Sequence, residues 1–340
     1  MKLEVYTQTD LFDVLKPEWN NLLYCSTANR IFSTWEWQST WWSVYQPGEL
    51  WVIACRDENN RLIGLAPWFI GTNPQQKRYV ASIGSKEVTD YLDIIVDQNY
   101  VEPVLSRLAA YVADHASQFD CIELYNIPEG SVSHREFPKY LENCGFEVSI
   151  EHEDVCPLIE LPGSWSEYLA LLDKKQRHEL RRKLRRVQGA HSGVDWYIAG
   201  PEHDLAEEME HFLDMMASSD PNKSQFLADP QNVDFFKRIT KILNDRGWLQ
   251  LSFLTVNGER AAAYLNFDYD GRILVYNSGL RPDEYGYLSP GIVLLAFNIQ
   301  HAIETGHTVF DFLQGDETYK YHMGGKDTEV LNLKAKLTGE

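Results

Sequence analysis

The clearest pattern of apolar and polar positions lies within residues 275–322. Residues 272–278 are rich in Ile, Val and Tyr between turn-forming residues, which is typical of a strand. Apolar residues then recur at helical spacing over 292–303, and Gly306 follows as a helix stop. A second apolar run, 308–313, has the length of a short strand. The pattern therefore predicts a βαβ unit, with its polar residues gathered at one end.

The loop that enters this helix is a candidate anion site. Ser289 suits the N-cap, Pro290 suits the first helical position, and Gly291 follows. Free N–H groups at a helix start favour an anion by about 0.3–1 kcal/mol, and Arg281 adds a positive charge nearby. A purely structural cap explains the same residues equally well, because the pattern is neither a Walker loop nor a complete dinucleotide fingerprint.

A second feature is a run of cations after Pro162-Gly163. Ser164 and Glu167 form a capping box, which predicts a helix that continues to about residue 187. Residues 174–186, KKQRHELRRKLRR, carry eight positive charges and one negative charge in a chain of net charge −19. This concentration predicts either a solvated helix with a narrow apolar face or a binding site for an anion.

Arg177 and Arg181 lie one helical turn apart in this run, so both can contact the same phosphate or carboxylate. We expect these two to face a ligand and the other cations to be ordinary surface residues. A polyanion such as tRNA is the competing use of the same helix.

The run YNSGL…SPGIVLLAFNIQHAIETGHTVFDFLQGDETYK resembles the signature of the CelD-like (cellulose biosynthesis protein-like) acetyltransferases, a branch of the GNAT superfamily related to the Fem-type aminoacyl and peptidyl transferases. The resemblance extends from about Trp165 to the C-terminus, with weaker similarity in FSTWEWQSTWW and DYLDIIV. The residues that match the family pattern are Asp311, Phe312, Gly315, Glu317, Tyr319 and Lys320.

The resemblance implies an α/β (α+β) protein with two tandem GNAT-like domains, each a mixed, mainly antiparallel sheet flanked by helices. A chain of 340 residues is long enough for two cores. We place an N-terminal GNAT-like domain at 1–160, a basic linking helix at 161–190 and a C-terminal GNAT acyltransferase domain at 191–340. In the last of these, 223–226 is predicted as a polar loop and 329–337 as a final strand.

The activity that the resemblance implies is transfer of an acyl group from acetyl-CoA or another acyl-CoA to an amine or hydroxyl of a small-molecule, sugar or cell-envelope precursor. The loop from Arg281 to Gly291 would hold the pyrophosphate, together with Arg177 and Arg181. Tyr319 is the candidate general acid, because a phenol can protonate a leaving thiolate. Packing beneath the new helix explains Tyr319 equally well.

Other acceptor-side residues follow from the same resemblance. Lys320 would orient a substrate carboxylate or carbonyl, Glu317 would accept the amine proton, and Gln314 would contact the substrate. Acids in a first helical turn are also favoured by the helix dipole alone. Asp90 and Asp93 are predicted substrate ligands on a strand, with a solvated strand edge as the structural alternative.

Composition limits the remaining possibilities. The net charge argues against binding of nucleic acid or anionic membrane by the whole surface. Five widely spaced cysteines without a CxxC motif suit reduced thiols, and the chain has neither a signal-like start nor an apolar stretch of membrane-spanning length. We expect a cytoplasmic protein without stable membrane insertion or a metal site, and the oligomeric state stays open. An aminoacyl-tRNA-dependent Fem-type transferase and a non-catalytic binding protein on the same scaffold are the alternatives.

Overall fold

A computed structural model describes residues 1–84, 88–188 and 193–338. The chain forms two compact units, Met1–Val155 with Thr328–Glu340, and Cys156–Asp327. This division differs from the predicted one in two respects. The basic segment belongs to the second unit, and the last strand belongs to the first.

The bounds of the elements are as follows. The strands, in chain order, are β1 Lys2–Tyr6, β2 Gly48–Leu50, β3 Val52–Arg56, β4 Leu62–Ala66, β5 Trp68–Thr72, β6 Arg78–Ser82, β7 Ile95–Val96, β8 Cys121–Pro128, β9 Phe146–Val155, β10 Leu158–Glu160, β11 Val194–Ile198, β12 Leu249–Val256, β13 Glu259–Tyr269, β14 Arg272–Leu280, β15 Val309–Asp311 and β16 Glu329–Leu337. The α-helices are α1 Leu11–Tyr24, α2 Trp35–Tyr45, α3 Val101–Asp114, α4 Val132–Arg135, α5 Phe137–Asn143, α6 Trp165–Leu171, α7 Lys174–Val187, α8 Leu205–Ser219, α9 Pro221–Leu227, α10 Pro230–Asp245, α11 Pro282–Tyr285, α12 Pro290–Glu304 and α13 Thr318–His322.

The first unit contains a four-stranded sheet of order β1-β3-β4-β7 and a six-stranded sheet of order β2-β5-β6-β8-β16-β9. Its strand pairs are antiparallel except for β6 with β8, which is parallel. Leu331, Leu333 and Ala335 alternate along β16 and are buried in the core of this unit. This alternation buries one face of β16, which pairs with β8 on one side and β9 on the other.

The second unit contains a six-stranded sheet of order β10-β15-β14-β13-β12-β11. Its pairs are antiparallel except for β14 with β15, which are parallel and are joined through α12. The predicted βαβ unit is therefore confirmed. The Asn257-Gly258 pair, a strong local signal for a hairpin, forms the turn between β12 and β13, with both residues at positive φ. The fold class is confirmed as mixed sheets flanked by helices in two tandem units.

The predicted single helix from Ser164 onward is two helices. Ser164 caps α6 as expected, with its hydroxyl accepting a hydrogen bond from the Glu167 N–H at 3.3 Å. Leu172 is extended, and Asp173 then caps α7 by accepting from the Gln176 N–H at 2.9 Å. The apolar face of α7 is narrow, because its buried residues are Leu180, Leu184 and Val187.

The polar loop predicted at 223–226 is instead the short helix α9. Asp220 caps this helix by accepting from the Asn222 N–H at 2.7 Å, and Pro221 occupies the first helical position. The aspartate and the proline are the local sequence signal from which this helix could have been predicted.

Gly279 allows α8 to lie directly on β14. A Cβ atom at this position would be 2.7 Å from both Met215 Cβ and Met216 N. We expect Gly279→Ala to lower the free energy of unfolding by about 1–3 kcal/mol, because the close contact must shift. Urea denaturation measures the change, and Gly286→Ala is the control because a Cβ there meets no atom within 4 Å. Equal stability of the two variants would contradict this account.

Candidate functional site

The sheet of the second unit opens between its two parallel strands. Pairing of β14 with β15 covers Arg272–Leu274 and Val309–Asp311, whereas β14 continues to Leu280. After Asp311 the chain turns away, because the Phe312 N–H donates to Pro157 O at 2.9 Å. We call residues 275–280 of β14 the open segment. Parallel strands that separate in this way leave room for a ligand between their ends.

Lys320 holds the loop that follows β15. Its side chain is 2 % exposed, and Nζ donates to three backbone carbonyls, those of Leu313 at 3.1 Å, Gln314 at 2.6 Å and Gly315 at 3.1 Å. Glu317 Oε2 lies 2.9 Å from the same nitrogen. These partners account for all three N–H donors of an ammonium. Lys320 therefore stabilises the loop, whereas the sequence predicted that it contacts the substrate.

A β-bulge lies at the start of the open segment. Asn266 pairs with Val275 and Leu265 pairs with Asn277, so Tyr276 is the extra residue on β14. Beyond the bulge, Ser278 directs both backbone groups away from β13: its N–H donates to Asn277 Oδ1 at 2.9 Å, and its carbonyl accepts from a lysine described below. The bulge thus places polar backbone groups of β14 in the opening.

Tyr319 is half-buried at the start of α13. Its ring lies 6.3 Å from that of Phe312 in an edge-to-face arrangement. Burial raises the pKa of Tyr319, and the carboxylate of Glu317 raises it further. Burial also raises the pKa of Tyr264, with contributions from Tyr319 and Glu317. The packing role predicted for Tyr319 is present, and its phenol keeps its proton at neutral pH.

Lys223 also reaches the open segment, a position that sequence reasoning missed. Its Nζ donates to Ser278 O at 2.6 Å and lies 3.1 Å from Ser278 Oγ. Burial lowers the pKa of Lys223, and the carboxylates of Asp220 and Glu317 partly oppose that change. The lysine was overlooked because α9 was predicted as a loop, and no local pattern tells which strand a lysine will reach.

The start of α12 lies beside two cations of α7. Ser289 has φ 54° and makes no side-chain cap, so the predicted cap is replaced by a hydrogen bond from Lys183 Nζ to Ser289 Oγ at 2.6 Å. Arg186 donates to the carbonyl of Tyr287 in the preceding turn. Gly291 permits close packing, because a Cβ there would lie 2.9 Å from Leu280 Cδ2. The helix start and the end of β14 are therefore adjacent.

The predicted contribution of Arg281 to this anion site is not seen. Its Nη2 lies 3.6 Å from Asp214 Oδ2, and it lines a small cavity together with Asp283 and Glu284. This acidic neighbourhood opposes binding of a phosphate at Arg281.

The predicted pair Arg177 and Arg181 does not act as a pair. Arg177 donates to the carbonyls of Leu169 and Ala170, both at 3.4 Å, and so caps the end of α6. Arg181 is exposed on α7. The helix turns about 100° per residue, so the side of α7 that faces α12 carries Lys183 and Arg186 instead.

A cavity of about 840 Å³ lies between α7, α12 and the end of α13. Most of its polar lining is cationic or imidazole, and its one acid is Glu179, whose pKa Arg182 lowers to about 2. Its wall includes Ile292 of α12 and Met323 after α13, so the cavity adjoins the start of α12. The remaining lining residues are Lys174, Lys175, Gln176, His178, Leu180, Lys183 and His322. This environment suits an anionic ligand with an apolar part.

The two predicted aspartates lie in the first unit. Asp93 is 5 % exposed and lines a cavity of about 150 Å³ together with Arg30. Its Oδ1 accepts from the N–H groups of Ile94 and Ser133 at 2.9 and 3.0 Å, whereas its Oδ2 has no hydrogen-bond partner. Asp90 is half-buried. The structure thus places Asp93 in a cavity and not on a solvated strand edge.

The described residues contain neither a candidate metal site nor a helix that could span a membrane. Among residues 1–84, 88–188 and 193–338, no cluster of three or more His, Cys, Asp or Glu side chains could hold a metal ion. In the same part of the chain, every helix is too short or too polar to cross a membrane.

A large part of the second unit resembles a known protein family. Residues 174–321 match the family model described as Acetyltransferase (GNAT) domain. No curated protein matches the chain by sequence. The matched residues include the open segment of β14, the start of α12 and the loop that Lys320 holds.

Solved structures resemble the whole chain in fold. FemX has a TM-score of 0.65 at 12% identity, over 98% of this chain and 97% of that one. L-PGS from Bacillus licheniformis has a TM-score of 0.55 at 11% identity, over 95% and 92%. A tandem GNAT protein from the clavulanic acid biosynthesis pathway has a TM-score of 0.52 at 10% identity, over 100% of both chains. At these identities the likeness concerns the fold alone.

Replacement of Lys320 tests its part in the loop. We expect Lys320→Met to lower the free energy of unfolding by about 2 kcal/mol or more, because buried carbonyls lose their donor. Urea denaturation measures the loss, and amide hydrogen exchange at residues 313–315 should become faster. Lys241→Met removes an exposed lysine as a control. Wild-type stability and exchange in Lys320→Met would exclude the structural role.

The buried carboxyl of Asp93 predicts a pH-dependent stability. Burial raises its pKa to about 6, so the folded state binds the proton more tightly than the unfolded state, and stability falls as pH rises through that value. We expect Asp93→Asn, measured against wild type, to gain about 1–3 kcal/mol between pH 5 and pH 8. Urea denaturation at both pH values tests this, with the exposed Asp114→Asn as the control. A gain that is equal at both pH values would contradict the prediction.

Proposed function

We propose that the second unit transfers an acyl group directly from an acyl-CoA, with acetyl-CoA as the first candidate, to an amine or hydroxyl. A small-molecule, sugar or cell-envelope precursor in the cytoplasm is the acceptor class. The observation that supports this most is the position of the open segment of β14 beside the start of α12, within the residues that match a GNAT domain.

The donor's pyrophosphate would bind at the turn and helix start formed by 286–291. Free N–H groups of α12 point into this region, and the helix dipole favours negative charge there. Lys183 and Arg186 already contact the turn through Ser289 and Tyr287, so they can move their donors to phosphate oxygens without a change of backbone. The cationic cavity next to α12 accommodates the rest of the nucleotide.

The thioester would lie along the open segment. Its carbonyl oxygen would accept the Ser278 N–H in place of Asn277 Oδ1, which holds that N–H at 2.9 Å. A donor fixed in this position stabilises the oxyanion that forms as the acceptor attacks the carbonyl carbon. The C–S bond then breaks, and Tyr319 donates its proton to the leaving thiolate.

Apart from Lys320, whose donors are used by the loop, the acceptor-side residues keep the assignment that the resemblance implies. Glu317 is exposed in the same loop and can carry protons to solvent. Gln314 lies in that loop, and Asp90 and Asp93, which belong to the first unit, stay predicted substrate ligands. Asp93 has the stronger support of the two aspartates, because its unpaired oxygen and its cavity leave a place for a hydrogen-bond donor.

Calorimetric titration with coenzyme A and acetyl-CoA tests the donor site. We expect Lys183→Ala to weaken binding about tenfold, because a charge-assisted contact to phosphate is lost. Arg281→Ala is the matched control: this arginine lies among acids, so its variant should bind like wild type. Equal affinity in wild type and Lys183→Ala, or weakening only in Arg281→Ala, would displace the donor from this turn. No binding by wild type would reject the acyl-CoA donor.

An aminoacyl-tRNA donor is the second candidate. Cations of α7 that remain exposed favour it, since they form a row that a phosphate backbone could contact. These cations are Lys174, Lys175, Arg181 and Arg185. Titration with tRNA at two salt concentrations distinguishes the donors: a steep loss of affinity with salt, without any acyl-CoA binding, selects tRNA.

A further inference from the structure

We propose that Lys223 and Ser278 form a proton relay that removes the proton from the attacking amine or hydroxyl. The relay deepens the proposed acyl transfer and rests on it. Both residues lie where the acceptor must approach, because Ser278 is in the open segment and Lys223 reaches it from α9.

The contacts of Lys223 differ from those of a structural lysine. Its hydrogen bonds go to two atoms of one residue, the carbonyl oxygen of Ser278 at 2.6 Å and its hydroxyl at 3.1 Å. Among the described residues, no carboxylate oxygen lies within 4.0 Å of Lys223 Nζ, the distance at which an ion pair would form. Lys320, by comparison, has three carbonyls and a carboxylate around its nitrogen. Lys223 can therefore lose a proton without breaking an ion pair.

The titratable groups around Lys223 come from its own helix, from β13 and from the chain at the start of α13. Asp220 caps its own helix, and Glu317 faces it from the loop before α13; both carboxylates raise the pKa of Lys223, while burial lowers it more. Tyr264, the cross-strand partner of Ser278, and Tyr319 interact with Glu317 and keep their protons, because burial raises the pKa of each. Lys223 is thus the basic group at Ser278 whose pKa burial lowers, so its ammonium loses a proton more readily than that of an exposed lysine.

The hydrogen-bond geometry suits a relay through the hydroxyl. In its neutral form, Lys223 donates one N–H to Ser278 O and accepts the hydroxyl proton of Ser278 on its lone pair. The lone pairs of Ser278 Oγ are then free to accept the proton of an acceptor molecule. Since the Ser278 N–H also points into the opening, the same residue binds the carbonyl oxygen and receives the proton.

The step balances in atoms and charge. As the acceptor nitrogen or oxygen bonds to the carbonyl carbon, its proton passes to Ser278 Oγ, and the serine's own proton passes to Lys223 Nζ. The C–S bond breaks, and the thiolate takes the proton of Tyr319. The Lys223 ammonium then loses its proton to solvent and the Tyr319 phenolate takes one up from solvent, which restores both groups. Glu317, whose side chain is 56 % exposed, is the neighbouring carboxylate for this exchange.

Lys223→Arg separates a relay from a structural contact. Arginine still donates to Ser278 O but does not deprotonate in proteins. We expect it to bind acetyl-CoA within about twofold of wild type, yet to release thiol from acetyl-CoA about 100-fold more slowly, with glucosamine or water as acceptor. The rise of the wild-type rate with pH should be absent. Lys237→Arg, on the surface of α10, is the matched control.

A second pair of variants keeps the relay testable if Lys223→Arg does not fold. Ser278→Thr retains the hydroxyl and should keep most of the activity, whereas Ser278→Ala should lose about tenfold or more with unchanged acetyl-CoA binding. Equal rates in these two variants, or wild-type activity in a folded Lys223→Arg, would overturn the relay. Mass spectrometry that finds an acetyl group on Ser278 would overturn it in favour of a covalent serine intermediate.

The same assays distinguish failure of the relay from failure of the proposed function. Wild-type protein that neither binds acetyl-CoA nor releases thiol rejects both. Wild-type protein that does both, with Lys223→Arg equally active at every pH, rejects the relay alone and leaves acyl transfer in place.

Discussion

The opening in the second unit depends on one buried ammonium. Beyond Asp311 the chain carries three consecutive carbonyls that no strand pairs, and each would cost about 1–3 kcal/mol if it were buried without a donor. Lys320 supplies the donors, and Glu317 balances its charge. Because the loop is satisfied in this way, it has no need of hydrogen bonds to β14. The open segment is the result.

The bulge at Tyr276 makes that opening chemically useful. A regular strand would alternate groups toward β13 and away from it, whereas the extra residue shifts the alternation. Ser278 consequently presents its N–H and its carbonyl to the side from which α9 and the loop before α13 approach. The two lysines near this point then have opposite roles. All three N–H donors of Lys320 are used by backbone carbonyls, whereas the hydrogen bonds of Lys223 go to Ser278 alone.

The distribution of positive charge in the second unit is also local. The chain is acidic overall, yet the cations of α7 are concentrated on one element that packs against α12 through a narrow apolar face. Some of these cations are used internally, as Arg177 is at the end of α6 and Arg182 is with Glu179. The side chains of Lys183 and Arg186 donate hydrogen bonds to the turn before α12. An acidic protein can thus offer an anion site, because the local field there comes from α7 and the start of α12 rather than from the net charge.

The sequence by itself determined the elements whose signals are local. The βαβ unit, the Asn257-Gly258 hairpin, the start of α12 at Pro290 and the amphipathic α7 follow from periodicity and capping within a few residues. Only the tertiary structure decided which residues meet. Lys223 contacts Ser278 across 55 positions, Lys183 contacts Ser289 across 106, and β16 pairs with β8 rather than with its sequence neighbours. Side-chain direction on a helix, and the partner of a buried ammonium, depend on which long-range packing satisfies every buried polar group at once, and no local pattern contains that information.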